Sequence, residues 1–270
     1  MRKHGEDVIE ILRKQGMEAE NVEIVKNGVP CKAIKICGAN DSVAPVIYYS
    51  EQDTVEELMV RIHEVLKAAV PDVDAEQLMD WKQIHSRVYL SAQKQSNEKV
   101  VKKSYLNLEL IVRIEVSIGC DTGSVKMTND MLHRINADEA DIWKAAVENT
   151  YRSISVRSMA ETIGMEPTDE DSLYIASAGR SGGASVLYFA DAFRKYCEEN
   201  GESECYILPS STEEVIIVSR TGIGASLSVH ELADMVRTIN AAQVDPIIQL
   251  EPAVYRYSVT ADVVEIAGMV

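Results

Sequence analysis

Apolar residues recur along this chain at two spacings, and together they predict a mixed fold. Val8, Ile9, Ile11 and Leu12 share one face of a helix over Arg2–Gln15, which Gly16 ends. The runs NVEIV and PCKAIKIC follow, divided by Asn27-Gly28. Both of those residues tolerate positive φ, so the pair predicts a tight β-hairpin. A third strand is expected over Pro45–Tyr49. Thr54, with Glu57 three residues on, makes a capping-box pattern, and Leu58, Ile62, Val65, Leu66 and Ala69 form the stripe of the helix behind it. Pro71 stops that helix, and Asp74 reads as the cap of another running towards Tyr89.

A polar stretch, Ser91–Lys103, separates this half from the next. From Tyr105 to Ile118 the chain alternates, with Leu106, Leu108, Leu110, Val112, Ile114, Val116 and Ile118 at every second position. Period two over that length predicts one long strand with a buried face and a mostly wet one. A short strand over Ser124–Met127 pairs with it across Cys120–Gly123, and Thr128 or Asn129 caps a short helix. Asp138 opens a longer helix towards Ile154, and Met159–Ile163 forms a further turn. Leu173–Ser219 reads as two short strand pairs around one amphipathic helix. Within it Ala184–Phe189 is taken as a strand after the turn-rich Gly179–Gly183, the alternative being the start of the following helix. Ser228 and Glu231 cap a last helix over Val229–Asn240, and strands are expected at Val254–Ser258 and Asp262–Ile266. The fold class is α+β, mainly antiparallel sheets covered by amphipathic helices. We expect an N-terminal α-β-β-β-α-α lobe over 1–90, a polar connector over 91–104 and a C-terminal α+β lobe over 105–270.

Composition narrows the class. With 46% hydrophobic residues over 270 positions, the chain can bury a sizeable core. The apolar stretch Leu108–Ile118 is broken by Glu109, Arg113 and Glu115, far short of the ~20 apolar residues of a spanning helix. The start, MRKHGEDVIEI, lacks the apolar segment of a secretory signal, so a cytoplasmic location and no membrane partner are expected. Cys31, Cys37, Cys120, Cys197 and Cys205 are an odd set without a C-x-x-C pair, which fits a reducing compartment. Cys31 and Cys37 lie on one strand, about 20 Å apart at ~3.3 Å per residue, too far to share a metal. The net charge of −16, from 43 acids against 27 bases, repels nucleic acid and anionic lipid. Bases gather at Lys82, Arg87, Lys94, Lys99, Lys102 and Lys103, read as a solvated connector beside the acidic helices.

Several segments together resemble a domain-of-unknown-function family, number 5688, common in anaerobic gut bacteria. They are VEIVKNGVPCKAIKI, APVIYYS, GSVKMTNDMLHRINADEADIWKAAVENT, ASVLYF, CYILPSSTEEVIIV and AVYRYS, in order over nearly the whole chain. The region Gln93–Ser104 departs from the usual pattern. The resemblance implies one architecture, with a loop between two strands at Gly179–Gly183. It implies no activity, cofactor or catalytic residue.

Candidate chemistry is sparse. Gly179-Arg180-Ser181-Gly182-Gly183 would cradle a phosphate if a helix followed directly, but it lacks the order and lysine of a P-loop. A plain hairpin turn is the preferred reading. Ser210 and Ser211 follow Leu208-Pro209 at a strand end, where a nucleophile would need a base and oxyanion donors. His230 and Asp234, one helical turn apart, are the one base–orienter pair in view, with no G-x-S-x-G elbow and with good turn chemistry as the competing reading. The five histidines form neither H-x-x-x-H nor H-E-x-x-H, and no metal or cofactor is implied. The acidic runs Glu166, Asp169, Glu170, Asp171 and Glu213, Glu214 read as solvated loops. Tyr255-Arg256-Tyr257 could stack on a ligand, although a half-buried edge strand suits it better. The expected function is a non-catalytic binding or regulatory protein that engages another protein. The competing class is an enzyme with dispersed residues near the Gly179–Gly183 and Pro209–Ser211 turns. A third reading is an acidic mimic of nucleic acid.

Overall fold

In the computed structural model of the chain, the structure describes residues 4–37, 44–67, 76–118, 121–166, 168, 172–179, 181–209, 211–220 and 226–269. Local signals near the N-terminus are met closely. α1 (His4–Lys14) is followed by β1 (Glu18–Lys26), β2 (Val29–Cys37) and β3 (Val46–Tyr48), and then by α2 (Val55–Lys67). Asn27 and Gly28 take φ of 50° and 74°, the left-handed pair that a two-residue hairpin needs. Thr54 and Glu57 close the capping box, with Glu57 N donating to Thr54 Oγ1 at 3.2 Å and Thr54 N to Glu57 Oε2 at 2.9 Å. α1 and α2 lie on one face of the sheet β1-β2-β3, where Val8, Leu12, Ile34, Ile36, Leu58 and Ile62 make a separate core.

The next segment departs from its reading. Pro71 and Asp74 lie outside the described residues, and no long helix runs to Tyr89. A 3-10 turn (Gln77–Met79) and the four-residue α3 (Trp81–Ile84) form instead, with the Asp80 side chain capping α3. Val88–Lys94 becomes β4, because seven residues pair antiparallel with β6 (Leu108–Ile118). β5 (Lys102–Tyr105) and β7 (Asp121–Lys126) complete this four-stranded sheet. Leu106 sits at φ 52° in a tight turn with Asn107, so the long strand read from Tyr105 is a hairpin whose second arm starts at Leu108. The wet face expected of it is partly dry, since Glu109 and Ile111 are buried along with Leu108, Leu110 and Val112.

The third sheet has the order β13-β12-β10-β11-β9-β8, formed by β8 (Ser155–Ser158), β9 (Leu173–Ser177), β10 (Glu204–Leu208), β11 (Val215–Val218), β12 (Ala253–Ser258) and β13 (Val263–Met269). All described strand pairs are antiparallel, and the fold is α+β. Thr128 caps α4 (Asn129–Arg134), α5 (Glu139–Tyr151) covers β4, and Ser158 caps the single turn α6 (Met159–Thr162). α7 (Ala190–Asn200) and α8 (Val229–Gln243) flank the third sheet, the latter opened by a Ser228–Glu231 capping box. The largest core joins the second and third sheets through Leu90, Ile114, Ile142, Phe193, Ile207 and Tyr255.

Ala184–Phe189 is not a strand. Residues Gly183–Tyr188 coil into a 3-10 turn, because Ser185 Oγ donates to Leu90 O at 3.0 Å and Ala184 N to Thr212 O at 3.0 Å. Those tertiary bonds override the β-propensity of the run. Gly179–Gly183 is accordingly a strand-to-helix loop, not a hairpin. β12 is likewise an inner strand, with Tyr255 and Tyr257 fully buried. The half-buried edge expected there is absent, because β13 adds beyond it.

Asn27 ties the first sheet to the rest. Its Nδ2 donates to Gln249 O at 2.7 Å, and its Oδ1 accepts from Lys94 N at 2.8 Å. The residue is only 4% exposed. Asn27→Ala leaves both backbone groups without that partner and puts a less tolerant residue at positive φ. We expect a loss of about 2–3 kcal/mol in urea unfolding; a change below about 0.5 kcal/mol would show that the turn is merely apposed.

Candidate functional site

The two turns singled out from sequence do meet, and they meet as packing. Gly182 N donates to Glu213 Oε2 at 3.2 Å, and Ser177 Oγ donates to Glu213 O at 3.0 Å. Gly182 sits at φ 82°, and a Cβ there would fall 1.8 Å from Ser91 Oγ, so the loop is seated on β4. Ser211 is 8% exposed, and its Oγ accepts from Glu213 N at 3.1 Å in a local turn. Thr212 Oγ1 donates to Glu213 Oε1 at 3.3 Å. Ser210 and Arg180 lie outside the described residues, as do Asp169, Glu170 and Asp171.

His230 does not join this cluster. Its side chain is 83% exposed on α8, with Nε2 3.6 Å from Asp234 Oδ2, while Asp234 also accepts from Arg237 at 2.7 Å. Arg256 projects from the sheet face opposite Tyr255 and Tyr257, where it is held by Glu265 and lies 3.7 Å from Glu204. A concavity of about 390 Å3 is lined by Gly179 and Ser181 together with Tyr89, Glu115 and Ser124. Among the described residues no group of three or more His, Cys, Asp or Glu is arranged to hold a metal.

A polar network sits where a solvated basic connector was expected. Residues 91–94 end β4 and 102–104 lie in β5, so the stretch runs alongside β6. Glu109, 4% exposed, accepts from Gln93 Nε2 at 2.6 Å, Ser96 Oγ at 2.7 Å and Ser96 N at 3.2 Å, and pairs with Lys102 Nζ at 2.9 Å. Glu98 pairs with Lys126 Nζ at 2.6 Å and accepts from Gln93 Nε2 at 2.8 Å. Burial alone would raise the Glu109 pKa, but hydrogen bonds from Ser96, Lys102 and Gln93 outweigh it and hold the carboxyl below its ordinary range. Two carboxylates facing two ammonium groups make a charge-balanced structural cluster.

Two larger concavities lie elsewhere, at the first sheet. One of about 650 Å3 is lined by His4, Gly5, Asn21, Glu23, Lys32 and Tyr49, among others. A second, of about 480 Å3, includes Cys31, Tyr48, Asp53, Arg61, Asp245 and Ile247. They share Lys32, Tyr49, Ser50 and Glu51, so they adjoin as one groove that crosses the first sheet beside the end of β3. Gly5 lets α1 begin against Tyr49: a Cβ there would lie 2.3 Å from the Tyr49 hydroxyl oxygen. That hydroxyl donates to Asn21 Oδ1 at 3.1 Å. Lys32 pairs with Glu51 at 3.0 Å, which holds the Glu51 carboxyl below its usual range. The Ser50 amide, at 2.5 Å, and Arg61 do the same for Asp53, and Arg61 also donates to Tyr48 O at 3.2 Å. No sequence motif marked this groove, because its walls come from residues 4–6, 21–23, 30–32, 48–51, 53, 61, 245 and 247.

A model described as a family of unknown function (DUF5688) matches residues 3–259. The chain belongs to that family. No curated protein and no solved structure matches it. Among the described residues, no helix is long and apolar enough to cross a membrane.

The network carries its own test. Glu109 has a depressed pKa, so its stabilisation is complete above the unfolded carboxylate value near pH 4.3 and fades as pH falls through the lower folded value. Glu109→Gln should cost about 2–3 kcal/mol at pH 7. The gap from wild type, read by urea unfolding, should narrow below about pH 4; a gap constant into acid would mean that Glu109 is not ionised in the fold.

Proposed function

We propose that this member of the family is a non-catalytic cytoplasmic protein that binds, and so regulates, another protein through the groove beside β3. The observation that carries this reading is the groove itself, two adjoining concavities of about 650 and 480 Å3. Three hydroxyls that would serve a catalytic reading are already engaged at Glu213, Ser211 and Thr212 within their own turn and Ser177 across to it, which argues against that reading. A specific contact needs roughly 800 Å2 on each partner, more than the groove floor offers, so its flanks belong to the surface as well. The net charge of −16 disfavours nucleic acid as the partner. The two-lobe division belongs to the same proposal, with the first lobe supplying most of the groove wall.

The enzyme reading keeps one supporting observation, the concavity that places Glu115 and Tyr89 beside Gly179 and Ser181. Affinity capture from native-host lysate separates the two. Tagged wild type should retain a stoichiometric protein that is lost from Gly5→Leu, which drives a side chain into Tyr49. A clean chain retaining a small molecule, or a partner equally well held by Gly5→Leu, would contradict the groove as the binding surface.

A further inference from the structure

We infer that Cys197 and Cys205 form a site of reversible oxidation, a dithiol that a peroxide closes to a disulfide between the end of α7 and the start of β10. The geometry begins with the turn that joins these elements. Gly201 ends α7 at φ 66°, and the Cys197 carbonyl accepts from both Gly201 N and Glu202 N, the latter at 2.8 Å. The chain reverses there at once, with only residues 198–204 between the two cysteines. α7 packs on β10 and β12, where Phe193 meets Tyr257 with ring centres 6.3 Å apart. Cys197 lies one helical turn after Phe193 and shares its face, and Cys205 is the strand partner of Tyr257. Both cysteines are 0% exposed members of one core, and the Cys205 thiol donates to the Cys197 sulfur. Cys31 and Cys37, by contrast, lie six residues apart along β2.

The bond between the two thiols divides their roles. The hydrogen bond from Cys205 draws the Cys197 thiol below its ordinary pKa, against burial and the carboxylates of Glu202, Glu198 and Glu204. The same bond, with burial, raises that of Cys205. Cys197 is therefore the sulfur that attacks. Its thiolate takes one oxygen of hydrogen peroxide, the O–O bond breaks, hydroxide leaves, and Cys197 becomes a sulfenic acid. The Cys205 sulfur then attacks that sulfenic acid, the S–O bond breaks, and the Cys205 proton departs with the oxygen as water. Two thiols are oxidised to one disulfide while one peroxide is reduced to two waters, and a dithiol reductant reverses the step by exchange. Access depends on the helix end. Residues 198–201 and Ser203 are exposed, so opening the last turn of α7 uncovers both sulfurs without disturbing the sheet.

Peptide masses test this on the full chain. The protein would be treated with hydrogen peroxide, its remaining thiols capped in denaturant, and its tryptic peptides weighed. Cleavage after Lys195 and Arg220 puts both cysteines, and no other, in the peptide 196–220. That peptide should escape capping and be lighter by two hydrogens than its reduced form, and dithiothreitol should restore it. In Cys205→Ser the sulfenic acid has no thiol to resolve it, so dimedone should label Cys197, whereas Cys197→Ser should leave Cys205 unlabelled. Closure should also lower the urea unfolding equilibrium constant at least about tenfold, by shortening the loop available to the unfolded chain. If either variant fails to fold, the wild-type mass decides alone. A 196–220 peptide that stays fully capped overturns the inference, whatever happens at the exposed Cys37, and so does one that gains oxygen without losing the two hydrogens.

Discussion

One buried amide determines how the two ends of this chain meet. The Asn27 side chain spans from the backbone of Lys94 to that of Gln249, 222 positions away from it in sequence. The hairpin tip can do this because Asn tolerates the left-handed backbone that the two-residue turn demands, and Gly28 shares the strain. Gln249 also donates to Asn240 O and Val244 O, so Asn27 docks onto a loop already fixed to α8. Asp245 and Ile247 on that loop form the far wall of the groove, and β2 and β3 form the near one. The second concavity therefore keeps its far wall only while the hairpin tip is seated.

Several buried polar groups elsewhere in the molecule find their partners within the chain. Thr150 Oγ1 accepts from Leu90 N and donates to Ala146 O, and Asn149 Nδ2 donates to His85 O and Val88 O. Glu109 is ringed by Gln93, Ser96 and Lys102. Low local polarity strengthens such bonds and penalises any left unmade, so these residues specify the seating of α5 and β5 on the second sheet. The same economy ties the two candidate turns together, with Glu213 accepting from Ser177, Thr212 and Gly182. Their polar atoms hold the 3-10 turn to β4 and to the Thr212 loop.

Sequence reading succeeded where the signal is local. The Asn27-Gly28 turn, the Thr54–Glu57 and Ser228–Glu231 capping boxes and the Thr128 cap depend on residues within a few positions of one another. It failed where distant partners decide. Tyr89, Ser91 and Gln93 look too polar for a buried strand, yet pairing with β6 and the Glu109 network make them one. Ala184–Tyr188 is β-prone, yet bonds to Leu90 and Thr212 coil it. The groove was invisible for the same reason: Glu23, Lys32, Tyr49 and Asp245 come together only after the sheet forms and the hairpin docks. Tyr48-Tyr49 beside Ser50-Glu51 is the nearest thing to a local signal, and it is indistinguishable from an ordinary strand end.

Hydrogen–deuterium exchange on Asn27→Ala tests the docking claim most directly, because the Lys94 amide is itself one of the bonds in question. Seated docking predicts faster exchange at both 93–96 and 247–250, two segments far apart in sequence, with β6 and α5 unchanged. Acceleration confined to the turn at 26–28 would contradict it, and would mean that the groove wall stands without Asn27.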